Sequence, residues 1–319
     1  KQARSIFTSD RAVNRSWDPQ QLTKGLVSHG TVNIYGADKQ DKVRLAKNVS
    51  AGDNVLTFKD NLKGWQVGDE IVLAGTDRTY KGDDKTNSRF QDEVLTITEI
   101  NGRQVKFTNN DISGEDNNVL RFDHAKHSKL DPSKIELYAA NLSRNVSFET
   151  ENGKDVPISH RAHVMLMHNP NVKVMNAGFY DLGRSDKSKM VDDVGQNVDG
   201  SKGNGTNIRG RYALHLHKTG LDPKTAVILK GNAISGSPGW GIAQHGSRAG
   251  LEDNVVFDTV GAGSAAEDGN ETGWWTNNLS IKSTGIKWDV ASKQMDQREK
   301  KFDFGFEGDG FWIQGAAQI

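Results

Sequence analysis

An asparagine recurs at Asn232, Asn254 and Asn278, 22 and 24 residues apart, and each is followed by a β-prone run: AIS, VVF and LSI. Self-similarity at that period predicts a solenoid, and one coil of a parallel β-helix takes roughly 20 to 30 residues. Asn145, ahead of VSF, and Asn176, ahead of AGF, extend the series towards the N-terminus. The longer step from Asn176 to Asn232 leaves room for an insertion, and Ser185–Asn207, rich in Lys, Asp, Ser and Gly, reads as a loop projecting from its coil. Stacking sets distant residues roughly 4.8 Å apart along the axis. A polar position repeated from coil to coil therefore becomes a column.

Three segments supply such positions: GRYALHLHK (210–218), GWGIAQHGS (239–247) and GAGSAAEDG (261–269). On a strand His215 and His217 share one face, while Leu214 and Leu216 take the other. Leucines inward put both imidazoles outward. Aligning GWG with GAG sets His245 beside Glu267, and a slip of one residue substitutes Asp268. His163, with Val164 and Leu166 inward, offers a further imidazole from an earlier coil. His163, His215, His217 and His245 with a carboxylate suit one divalent ion of the Zn, Ni, Cu or Fe type. No organic cofactor is expected. The same histidines also read as a hydrogen-bonded ladder that merely holds the register.

The catalytic candidates are His215, His217, Glu267, Asp268, Asp181 and Arg211. Glu267 and Asp268, as strand neighbours, are expected to face opposite sides, so a two-carboxylate glycosidase needs Asp181 or Asp193 as partner. Arg209, Arg211 and Lys218 flank the histidine pair, where cations bind a uronate carboxylate or acidify the sugar proton lost in β-elimination. Hydrolase and lyase are both open, and so is a non-catalytic carbohydrate-binding or adhesion module. Trp240, Trp274 and Trp275 either stack on sugar rings or pack under loops.

The remainder divides as a lead-in over 1–29, with helical turns expected from Pro19 to Leu26 behind an Asp18 cap; a glycine-rich β domain over 30–128; and the β-helix over 129–319. Short alternating strands such as NVLTF, EIVLA and QVKFT fill the middle domain, with Trp65 as a core plug and a polar excursion over Asp77–Asp92. SKQMDQREKK (292–301) reads as a charged excursion that a helix or a loop would suit. The closing FWI run reads as the start of a bare rung, with the chain either truncated or cleaved there or covered by a further chain or domain. With 34 glycines, 34% hydrophobic residues and a mean hydropathy of -0.67, the chain suits an all-β protein with polar loops. Lys plus Arg equals Asp plus Glu at 41 each, so no global field recruits nucleic acid. No run reaches the ~18 apolar residues of a membrane span, and the absence of cysteine removes thiol chemistry.

Several of these runs, in this order, resemble one family. GWQVGDEIVLAGTD (64–77), FDHAKH (122–127), NLSRNVSF (141–148), HVMLM (163–167), GRYALHLHK, AEDGNE (266–271) and GFWIQG are similar to the module shared by CEMIP, the transmembrane hyaluronidase and fibrocystin. The resemblance covers about Gly30 to the C-terminus. It implies an eight-glycine β domain followed by a right-handed parallel β-helix, in a polysaccharide-facing protein that is extracellular, at the cell surface or periplasmic. The missing cysteines, and Ala213 where the family carries proline, suggest a distant, bacterial member. The expected activity is binding, and cleavage in the manner of a hyaluronidase, of an acidic polysaccharide.

Overall fold

The computed structural model describes residues 1–81, 84–114, 117–126, 136–195, 201–286, 298, 303–315 and 318–319, with backbone alone for 78–81 and 84–89. The excursion 292–301 lies outside them apart from Arg298. The chain forms two compact units, Lys1–Gly36 with Arg144–Ile319, and Ala37–Ser143. No described helix is long and apolar enough to cross a membrane.

The first unit is a parallel β-helix. One stack contains Ala3–Phe7, Val146–Thr150, Ala177–Tyr180, Ala233–Ser235, Val255–Thr259 and Leu279–Ser283. A second contains Gly25–Ser28, His163–Met167, Leu214–Gly220, the first half of Ile242–Glu252, Ser264–Ala266 and Phe311–Ile313. The third contains Val32–Tyr35, Val172–Met175, Val227–Lys230, the second half of Ile242–Glu252, and Thr272–Thr276. Period-two alternation drives this assembly: Val164, Leu166, Val174, Leu214, Leu216, Leu229 and Leu251 all point into one buried core.

The unit boundaries differ from those read in the sequence. Residues 1–29 are no lead-in: ARSIF and GLVS pair in register with VSFET and HVML, and VNIY pairs with VKVM, so 1–36 forms the first coil. The other unit follows it in the chain and returns at Arg144. A coil interrupted by a whole domain carries no period to read. The expected helix at Pro19 is also absent. Asp18 accepts from the Leu22 and Thr23 amides and the Thr23 hydroxyl, closing a turn that delivers Gly25 to its strand.

The asparagine repeat is a buried ladder. The Asn254 side-chain oxygen accepts from the Asn232 amide (3.1 Å) and Nδ2 (2.9 Å), and Asn278 does the same for Asn254 (3.0 and 2.9 Å). Asn176 does not belong to it. Gly178 pairs with Ala233, so Ala177 occupies the ladder position and donates to Asn232 Oδ1, while Asn176 falls level with Gly231. Asn176, Gly231, Asp253 and Asn277 all have φ between 55° and 65°, a left-handed corner that Gly, Asn and Asp tolerate.

In the second unit an antiparallel sheet runs in the order Lys42–Arg44, Tyr138–Asn141, Glu70–Leu73, Glu93–Asn101, Gln104–Asn109, Val55–Thr57. Trp65 plugs its core against Phe58 and donates Nε1–H to the Gln40 carbonyl. The polar excursion is a hairpin, Arg78–Lys81 with Asp84–Phe90. Glu93 is fully buried. Burial alone would raise its pKa, but bonds from His124, the Arg121 and Phe122 amides and Asn109 outweigh that and hold it below the ordinary range. A carboxyl lowered by folding contributes stability above its unfolded pKa of about 4.3 and loses it as pH falls towards the folded value.

Two outcomes are expected. Replacing Asn254 by Ala leaves the Asn232 amide and one Nδ2 hydrogen unpaired, the other still bonding the Val174 carbonyl, and lowers unfolding stability by roughly 2–4 kcal/mol in denaturant titration. Glu93→Gln removes most of the loss of stability that the second unit shows on acidification below about pH 4.5.

Candidate functional site

The second stack sets the polar column by its register. His217 pairs with His245, and Gln244 pairs with Ala266, which carries Glu267 alongside His245. His215 lies level with Ala243 and Ala265, whose small side chains leave space for its ring to lean towards the column. The three imidazoles cluster, with ring centroids 5.2 Å apart for His215 and His217, 4.5 Å for His217 and His245, and 5.9 Å for His215 and His245. One nitrogen from each falls within 4.8 Å of the others. They line a cleft of about 320 Å³ together with Glu267, Asp268, Asp193, Arg209 and Lys218.

Hydrogen bonding assigns the lone pairs. His215 Nδ1 lies 2.8 Å from the Gly210 carbonyl, which can only accept, so Nδ1 carries the proton and Nε2 is bare. His245 Nε2 lies 2.9 Å from Asp268 Oδ2, which makes Nδ1 its bare nitrogen. Both bare nitrogens face Glu267 Oε2, at 3.7 Å from His215 and 3.4 Å from His245. His215 Nε2, His217 Nδ1 and Glu267 Oε2 are all buried without a hydrogen-bond partner. His215 Nε2 and His245 Nδ1 thus converge on one carboxylate oxygen, with His217 Nδ1 buried in the same cluster.

The local fields fit this. Burial, then the neighbouring His217 and His245, push the His215 pKa well below its ordinary value; burial, His245 and Lys218 push that of His217 to about 3. Burial raises the Glu267 carboxyl, against the opposing pull of His245 and Lys187. His215 and His217 are therefore held in the neutral form that ligates metal.

Other sequence candidates stand elsewhere or act differently. His163 faces outward, but Met165 and not His163 lies level with His215, and His163 is covered, with Nδ1 taking an Arg184 N–H at 3.1 Å. Asp181 closes a strand of the first stack, at φ 53°, away from the column, and burial raises its pKa. The Arg211 guanidinium donates to the carbonyls of Gln20, Gln21 and Arg209, so it anchors the 18–24 turn and is not a free cation. Arg209 is paired with Asp193 at 3.0 Å. Glu267 and Asp268 do not face opposite sides. The strand stops at Ala266, alternation ends there, and both carboxylates touch the His245 ring.

Trp240 is fully buried, stacked on Tyr212 at 4.4 Å, and meets no solvent. Trp274 and Trp275 are half-buried and donate to Glu252 and Gln244. The 185–207 insertion is not wholly a projecting loop: Ser185, Asp186 and Lys187 are buried, with the Lys187 ammonium 4.5 Å from the Trp240 ring centre and 3.5 Å from Asp303. Glu271 escaped the sequence reading. Fully buried, it accepts from the Gly246, Asp268 and Gly269 amides and so ties the His245 turn to the Asp268 loop. Its only sequence signal is a third carboxylate in AEDGNE.

Residues 201–314 match the family model CEMIP beta-helix. Among curated proteins of Dictyostelium discoideum, the chain is similar to Communication mutant protein F (25% identity over 270 residues, 83% of this chain and 20% of that one) and to a G8 domain-containing protein (26% over 275 residues, 83% and 16%). It thus spans 16 to 20% of the length of these relatives. Solved structures similar to it include tailspike gp61 of Pseudomonas phage phi297 (12% identity, 88% of this chain and 43% of that one, TM-score 0.24). Another is the gp54 tailspike of Acinetobacter baumannii phage AP22, in complex with capsular saccharide (11%, 81% and 47%, TM-score 0.23).

Because folding lowers the His215 and His217 pKa values, the stability they permit is complete above the unfolded histidine pKa of about 6.5 and is lost as pH falls below it. In ring-nitrogen NMR, both residues are expected to stay neutral from pH 8 to pH 5.

Proposed function

We propose, from the premise that this chain carries the CEMIP β-helix over residues 201–314, that it binds an acidic polysaccharide in the His215, His217 and His245 cleft and depolymerises it there, outside the cell or at its surface. The observation that carries this reading is the convergence of bare imidazole nitrogens on a buried, unpartnered carboxylate oxygen. A structural ladder would pair those atoms with one another, as the asparagines do.

The donor set fits a divalent ion. In the tetrahedral shell that zinc prefers, nitrogens about 2.1 Å from the ion lie roughly 3.4 Å apart, so nitrogens within 4.8 Å of one another would close by roughly 1.4 Å at most to share one ion. His215 Nε2, His217 Nδ1 and His245 Nδ1 would hold it. The Gly210 carbonyl and Asp268 behind two of these rings are the outer acceptors that metal-binding histidines use. When bound, the ion supplies Lewis acidity to a sugar or water oxygen.

The chain's own residues do the rest. Glu267, whose carboxyl burial raises above the ordinary range, holds the proton at Oε2 that general acid–base catalysis would exchange. Asp268 fixes the His245 tautomer, and Glu271 holds the loop that presents both carboxylates. Arg209 and Lys218 at the cleft wall complement the carboxylate of a uronate unit.

Uronate-containing polysaccharides incubated with the protein are expected to yield new reducing ends or unsaturated uronates, and chelator is expected to suppress them. Asp268→Asn is expected to weaken metal affinity by roughly 10- to 100-fold. Product formation that survives replacement of both His215 and His217 by Ala overturns the assignment, and binding without product from any polymer leaves a carbohydrate-binding module.

A further inference from the structure

The histidine column does not end at the cleft. His217 lies level with Met167, and one coil further Ser28 lies level with Leu166, which brings His29 and His168 to the surface on the side of the first coil. Both are exposed. Their Nδ1 atoms are 3.1 Å apart, and the His168 ring centre is 5.9 Å from that of His217. The arrangement is pinned: the His168 amide donates to the His217 carbonyl at 3.1 Å, and Asn169 Nδ2 donates to the His29 carbonyl at 3.3 Å.

Two further observations single out this surface. His168 and Lys218 occupy the same turn in successive coils, with φ of 55° and 49°; the next coil places Gly246 there, with φ of 52°. The left-handed region disfavours any side chain with a Cβ, and Gly246 shows the residue the backbone itself prefers. Two side chains are nevertheless kept at this corner, next to the cleft. Lys218 also lines the cleft and makes no ion pair among the described residues.

We infer that His29, His168 and Lys218 form an accessory subsite that holds the next sugar units of the same polysaccharide, so that the polymer lies along the β-helix axis and crosses the coils from the cleft towards the first. This rests on the cleft reading above. The chemistry follows from the ring pair. In an Nδ1 to Nδ1 hydrogen bond, one ring donates and the other accepts. The donor ring then keeps a bare Nε2, and the acceptor ring keeps Nε2–H. The pair therefore presents one acceptor and one donor, the complement of sugar hydroxyls, which both give and take a hydrogen bond. Lys218 supplies the unpaired cation for a uronate carboxylate between the pair and the cleft. The occupant is a chain of hydroxyl-rich, carboxylated sugars longer than the cleft alone accepts.

The test is calorimetric binding of short and long oligosaccharides from a uronate-containing polysaccharide, with carboxyl-reduced versions of the long ones alongside. The His29→Ala/His168→Ala double variant changes only exposed side chains. It is expected to bind long fragments roughly tenfold more weakly, while its affinity for short fragments and for zinc stays at the parent value. Lys218→Met is expected to reduce, by roughly tenfold, the preference for long fragments over their carboxyl-reduced forms, leaving the part that Arg209 supplies. Parent-like binding of long fragments by the double variant overturns the subsite, and so does an equal loss for short and long fragments. If the parent chain binds no fragment, the cleft reading itself fails and the subsite with it; a parent that binds, beside a variant that is unchanged, removes the subsite alone.

Discussion

In-register pairing of parallel strands is the constraint on which this structure depends. Each coil hydrogen-bonds to the next with no offset of its own to choose, because a slip of one residue would turn every buried valine and leucine outward. The apolar side of each strand therefore fixes the position of the polar side. Leu214 over Ile242, and Leu216 over Gln244, leave His217 no place but above His245. The same register sets Glu267 next in the column. Core packing thus positions a site to which it contributes no chemistry. The asparagine ladder acts in the same direction from another stack, locking Asn232, Asn254 and Asn278 by paired hydrogen bonds that tolerate no slip.

Against this rigid frame, the site concentrates unsatisfied acceptors. Burying imidazole nitrogens and a carboxylate oxygen together costs desolvation free energy that ordinary pairing would recover. Here the recovering bonds go backwards, from His215 to Gly210 and from His245 to Asp268, and the forward atoms remain bare. Orientation by outer acceptors with the inner face open is the logic of a ligand site. The cationic and aromatic material packed behind it, Lys187 over Trp240 with Tyr212 stacked on the same ring, gives Glu267 a positive neighbour without touching the histidine nitrogens.

Much of this was legible before any coordinates, and what was not has identifiable causes. The asparagine period and the HxH pair were readable because stacked repeats preserve spacing and strands preserve alternation. Alternation failed where strands stop: Glu267 and Asp268 follow the last strand residue, Ala266, and so share a side. Spacing failed where the coil is broken by a domain, which hid the first coil in residues 1–36. His163 shows a third failure. It carries the right residue on the right face but lies level with Gly25, two positions from the strand residue beside His215, and only the pairing reveals that offset. Arg211 was placed correctly near the histidines, yet no sequence pattern announces that three backbone carbonyls claim its guanidinium.

X-ray absorption at the zinc edge of the stoichiometrically loaded protein tests the central claim most directly. The account predicts one ion per chain, with three imidazole nitrogens at about 2.0–2.1 Å and a light-atom oxygen completing the shell. Failure to retain the ion, or a shell made of water and surface carboxylates with fewer than two imidazoles, would contradict it.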